Sequence, residues 1–147
     1  MEKPIYDFQS SSNGHYYFFD SIGSTIIKKV VGFIATDQNP LAVELVFGDL
    51  TDDNQIDVLS VSDNDDFETV IGTLISILID YLNQFPNKTV LFRGSTPSRT
   101  RLYRAIIAKK FADIEPLYKI FGILENGSVE KFDKSHSYLW YIITVKK

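Results

Sequence analysis

The run from Phe67 to Phe85 constrains the fold more than any other stretch of this chain. At about 100° per residue, the helical step, Phe67, Val70, Ile71, Leu74, Leu78, Tyr81, Leu82 and Phe85 fall on one wide face. The opposite face carries Thr69, Thr73, Ser76 and Asp80, small and mostly uncharged, so the helix needs cover on more than one side. Asp65, with Glu68 three residues on, reads as a capping-box start. Pro86 ends the segment.

Strands flank this helix on both sides. Ser10–Gly14 is a turn, His15–Phe19 an aromatic strand, and Thr25–Ala35 a β-branched run expected to be the longest strand. Lys28 and Lys29 put one lysine on each face of that strand, which points to an edge or a bulge. A strand over Leu41–Phe47 places Leu41, Val43, Leu45 and Phe47 on one face, and a shorter one is expected near Ile56–Val61. After the helix, Thr89–Phe92 reads as an interior strand and Pro97–Ala112 as a second helix, with threonine before its first-turn proline. Tyr118–Glu125 and Ser128–Phe132 flank Asn126-Gly127, a strong hairpin signal. Tyr138–Val145 is apolar on both faces and therefore central.

The order β-β-β-(β)-α-β-α-β-β-β predicts a mixed α+β class, a twisted sheet with two principal helices. A β-meander followed by αβαβ is similar to the ribonuclease-H-like arrangement, in topology alone. With 147 residues and no linker rich in Pro, Gly or Ser, residues 1–147 are expected to form a single domain. There is no cysteine, which removes disulfides, thiolate metal sites and cysteine nucleophiles. The opening Met1-Glu2-Lys3-Pro4 shows no secretory signal, and Val70–Leu82 is too short and too interrupted to span a membrane, so the expected location is the cytoplasm. A net charge of −4 gives the chain as a whole no attraction to DNA or anionic lipid.

The charges are nevertheless segregated. Asp49, Asp52, Asp53, Asp57, Asp63, Asp65, Asp66 and Glu68 follow one another without a Lys or Arg. Lys88, Arg93, Arg99, Arg101, Arg104, Lys109 and Lys110 follow without an acid. Two solvated faces account for this, as does an acidic metal site beside a basic phosphate site. A two-metal nuclease could use Asp20 and Glu68, yet the strand before the second helix ends in Arg93-Gly94 where a carboxylate is needed. The Asp49–Asn54 loop lacks the glycine and terminal glutamate of an EF-hand. His15 and His136 have no partner at metal-ligand spacing, and neither a nucleophile elbow nor a P-loop pattern is present, so no metal, cofactor or catalytic residue is assigned.

The segment Arg93–Arg104 carries the functional signal. It joins a buried strand to a helix N-terminus, where unpaired N–H groups and the helix dipole attract anions. Gly94 permits close approach, and Ser95, Thr96 and Ser98 offer donors. Arg99 and Arg101 at a helix start are unfavourable without an anion, and Arg104 shares the Arg101 side of the helix. Helical phase sets Arg99 toward Leu102, Tyr103 and Ile106, where it requires a partner, either a ligand or an acid of the Asp49–Glu68 stretch.

Gly94-Ser95-Thr96-Pro97-Ser98-Arg99-Thr100-Arg101-Leu102-Tyr103-Arg104 resembles the signature of a family of small uncharacterised bacterial proteins, a domain of unknown function. Tyr6-Asp7-Phe8, Phe47-Gly48-Asp49 and the Tyr138 strand extend the resemblance over most of the chain. It implies a bacterial, cytosolic domain and no catalytic residues. The residues themselves point to a binder of a phosphate-bearing ligand, a nucleotide or nucleic-acid phosphate, through Gly94, Ser95, Thr96, Ser98, Arg99, Arg101 and Arg104. Two alternatives stand beside it. One is an interaction or scaffold protein, a homo-oligomer pairing acidic and basic surfaces. The other is an enzyme on a phosphorylated substrate with a base or metal ligand from Asp49–Asp57.

Overall fold

The structure is a computed structural model, and it describes residues 5–36, 41–57, 66–93 and 97–146. For residues 67, 97–99, 101, 102, 105, 106 and 109 the backbone alone is described. Among the described residues the architecture is α+β: nine strands in mixed pairing and two helices. The strands are β1 (Gln9–Ser10), β2 (Tyr16–Ile22), β3 (Ile26–Ala35), β4 (Ala42–Leu50), β5 (Ile56–Asp57), β6 (Thr89–Phe92), β7 (Tyr118–Ile123), β8 (Val129–Lys131) and β9 (Trp140–Val145). The helices are α1 (Phe67–Gln84) and α2 (Pro97–Ile114). None of the described helices is long and apolar enough to cross a membrane. The chain divides into two compact units, Met1–Ile34 with Val46–Phe85, and Ala35–Leu45 with Pro86–Lys147.

In the first unit β1 pairs antiparallel with β2, β2 with β3, and β5 with the second half of β4. The period-two pattern of β2 buries Tyr17, Phe19 and Ser21 and exposes Tyr16, Phe18, Asp20 and Ile22. From α1 come Val70, Ile71, Leu74, Ile77, Leu78, Tyr81 and Leu82, all buried, with Phe33 stacked on Tyr81 at 3.8 Å between ring centres. Thr73, on the polar side, is also fully buried, so α1 is covered on more than one side as its composition requires. Part of that cover is the N-terminal segment: the Tyr6 N–H donates to Thr73 Oγ1 at 2.8 Å.

Two sequence expectations are corrected in this unit. The residue at the α1 N-cap is Asp66, one beyond the expected Asp65, which lies outside the described residues. The Asp66 side chain caps nothing; its Oδ2 accepts from the Tyr6 and Ser21 hydroxyls, each at 2.5 Å. The carboxylate and the burial of the ring together raise the Tyr6 pKa, burial being the larger cause. The second correction concerns Lys28-Lys29. β3 is not an edge: it lies between β2 and β4, and its register with β2 runs without a bulge from Tyr16↔Gly32 to Ile22↔Ile26. Lys28 is exposed, whereas Lys29 is buried and ion-paired with Asp49 over the Phe47 ring. A buried ammonium is tolerated because a carboxylate meets it.

In the second unit the first half of β4 pairs parallel with β6, β6 antiparallel with β9, and β9 antiparallel with β7, which carries β8. β9 is thus central, as its two apolar faces require. It separates β6 from β7, so the strands flanking α2 are not neighbours, and the ribonuclease-H-like order receives no support. Val90, Phe92, Ile120, Tyr141 and Ile143 build the buried face, which α2 covers through Tyr103 against Phe92 and Phe111 against Phe132. The β7–β8 hairpin turns through Glu125, Asn126 and Gly127, closed by Gly127 N–H to Leu124 O and Leu124 N–H to Ser128 O, each 2.8 Å. Gly127 has φ +88° with open space around it, so backbone conformation and not crowding demands the glycine.

The Lys29–Asp49 pair yields the first prediction. Lys29→Ala removes the ammonium that faces a largely buried carboxylate and should cost about 3 kcal/mol, whereas Lys29→Met with Asp49→Leu should recover much of that loss. Urea unfolding of the two variants checks this.

Candidate functional site

β6 ends at Phe92, and two helical turns into α2 stands Arg104. Between them, Gly94, Ser95 and Thr96 lie outside the described residues, and Ser98, Arg99 and Arg101 are placed on α2 by backbone alone. The expected burial of Arg99 therefore lies outside what is described. Two arginines of the segment, Arg93 and Arg104, have described side chains.

Arg93 extends β6 by one residue, and continuing the Phe92↔Tyr141 register sets it opposite Trp140. Its guanidinium lies over the Trp140 ring at 4.4 Å, a cation–π contact. Arg93 is exposed, and its guanidinium makes no hydrogen bond to another described residue. Strand alternation turns Arg93 and Trp140 to the face away from Phe92 and Tyr141.

Arg104 leaves on the α2 side. Its Nη1 donates to Ser137 Oγ at 2.8 Å and to the His136 carbonyl at 3.3 Å. The two described arginines thus approach the β6–α2 junction from opposite faces of the sheet. The acid expected opposite α2 is also not found on Arg104, whose partners among the described residues are the neutral Ser137 hydroxyl and His136 carbonyl; Asp49 of the acidic stretch takes Lys29.

The segment 130–138 that receives Arg104 is a compact polar cluster. The Tyr138 hydroxyl donates to Glu130 Oε2 at 2.7 Å and accepts the Asp133 N–H at 2.9 Å. His136 Nδ1 lies 2.7 Å from the same Glu130 oxygen, and Nε2 lies 3.8 Å from Asp133 Oδ2. Asp133 Oδ1 accepts from the Ser135 N–H and hydroxyl. Hydrogen bonds from Tyr138 and His136 lower the Glu130 pKa, and Glu130 in turn raises that of His136. Burial and then Glu130 push the Tyr138 hydroxyl up to about 12. Tyr141, buried beneath α2, donates to the Thr100 carbonyl at 3.3 Å and is likewise raised to about 12 by burial.

Tyr138 reaches this position because β7 offers a glycine. A Cβ on Gly122 would stand 2.2 Å from the Tyr138 ring. Sequence reasoning missed this contact, and with it Trp140, Ser137 and Glu130 as site residues. The two histidines behave as expected of satisfied side chains: His136 takes Glu130, and His15 stacks on Phe85 at 5.0 Å. Among the described residues, no group of three or more His, Asp or Glu side chains is arranged to hold a metal.

The family model described as "Family of unknown function (DUF6934)" matches residues 2–146. The chain belongs to this family. No curated protein and no solved structure matches the chain at a significant level. Membership in a family of unknown function assigns no role to any residue, so the chemistry of the site rests on its geometry.

The Gly122–Tyr138 contact generates a prediction. Gly122→Ala forces the tyrosine off the sheet and should cost about 1–3 kcal/mol, the range for overpacking. Its effect should spread beyond β7 to the Ser137 and Arg104 signals in an NMR spectrum, because Tyr138 holds the segment that seats them.

Proposed function

We propose that this chain binds a phosphate-bearing ligand, a nucleotide or a nucleic-acid phosphate, where β6 turns into α2. The observation that carries the reading is Arg93: an exposed guanidinium 4.4 Å from the centre of the Trp140 ring, with no hydrogen-bond acceptor among the described residues, at the residue that follows β6. The aromatic contact restrains the group while its N–H fork stays unengaged, and such a fork grips an anion through two parallel bonds. The chain next described is the N-terminus of an 18-residue helix, whose first N–H groups lack intrahelical partners. Gly94, Ser95, Thr96, Ser98, Arg99 and Arg101 lie on this stretch of sequence and complete the proposed site, with Arg104 entering from the α2 side. β6 is an interior strand, paired on both sides by β4 and β9, which gives the turn a rigid base.

Trp140 is the single tryptophan of the chain, so its fluorescence reports on Arg93 directly. Titration with inorganic phosphate and with adenosine triphosphate should each change Trp140 emission saturably. Arg93→Lys keeps the charge and loses the fork, and should weaken binding about tenfold. Emission that stays flat in both titrations would contradict the reading.

A further inference from the structure

The seat of Arg104 is held together by an ionisable cluster. Ser137 Oγ and the His136 carbonyl, which receive the guanidinium, are adjacent to the one imidazole of the segment. Both nitrogens of that imidazole face carboxylates, Glu130 at 2.7 Å and Asp133 at 3.8 Å. Only a doubly protonated ring offers an N–H to each. A neutral ring serves one of them and leaves two carboxylates facing each other across an uncharged group, with the Tyr138 ring, 6.4 Å away between centres, adding no charge. The other charges around the cluster are Lys134, which acts on Asp133, and Arg104 itself.

We infer that residues 130–138 form a pH-operated clasp on Arg104: protonated His136, bridging Glu130 and Asp133, fixes the segment that seats the guanidinium, and loss of its proton loosens the seat. As a control on anion binding this rests on the function proposed above; as a clasp it does not. The sign follows from the two directions of shift. His136 is raised above its ordinary 6.5, so the bridge is complete below that value and is lost as pH rises through the raised one. Glu130 is lowered from 4.5, so its side of the bridge fails only on strong acidification. The clasp is closed below pH 6.5 and opens as pH rises through the raised His136 midpoint.

The test is nitrogen-15 NMR of the full chain between about pH 5 and 8, with sulfate as the anion because it stays doubly charged throughout. The Arg104 Nε–H and Ser137 amide signals should titrate with the His136 midpoint, and Glu130→Gln should move that midpoint down. Sulfate should bind about two- to fivefold more tightly below the midpoint, an effect of the size exposed ion pairs produce. Ser137→Ala, at an exposed position, should flatten this pH dependence while His136 still titrates. Arg104 signals that ignore the His136 midpoint would overturn the clasp, as would a pH dependence that survives Ser137→Ala, which would show the imidazolium acting on sulfate directly. Arg104 signals that follow His136 in a chain that binds no sulfate would support the clasp and overturn the anion site.

Discussion

The Tyr138 ring lies over Gly122 with no room for a side chain between them, and the polar end of the second unit depends on this contact. Pressed against the strand, the ring presents its hydroxyl to Glu130 and to the Asp133 N–H at the same time. Those two bonds close residues 130–138 into one body. Ser137 and the His136 carbonyl then stand where Arg104 can reach them from α2. A long basic side chain, which would otherwise sample many rotamers, is given a defined place by one glycine on a neighbouring strand.

The two units use charge differently. In the first, the described polar groups that leave water meet one another: Asp66 takes Tyr6 and Ser21, Asp49 takes Lys29, and Asp80 takes Tyr17. Two acids of the run that reads as solvated, Asp49 and Asp66, are therefore tied into the folding of that unit, as is Asp80 from within α1. In the second, Arg93 is held by an aromatic face rather than by a carboxylate, which leaves its hydrogen-bonding edge for a ligand. This asymmetry favours a binding role at the basic segment over a scaffold in which acidic and basic stretches pair off.

Much of the fold was legible in the sequence because it follows from local periodicity. β6, β9, both helices and the Asn126-Gly127 hairpin appear where alternation, helical phase and turn chemistry place them. What escaped depends on register between distant strands. Lys29 reads as the mark of an edge or a bulge until β3 and β4 are aligned and Asp49 is set within its reach. Arg93 was visible as a charge, but its partner Trp140 follows only from the antiparallel pairing of β6 with β9. The docking of Tyr6 on Asp66 spans 60 residues and has no local signature. Arg104 was singled out as a ligand residue from its spacing, whereas its seat on Ser137 lies in a loop that no periodicity describes.

The central claim is that an anion binds beside Arg93 at the β6–α2 turn. A crystal structure of the chain grown with selenate, an anomalously scattering counterpart of sulfate, tests it most directly. An anomalous peak is expected within hydrogen-bonding distance of the Arg93 guanidinium and of the N–H groups that open α2, about 3 Å from each. A well-ordered turn without that peak, or a selenate bound elsewhere while Arg93 remains stacked and unoccupied, would contradict it.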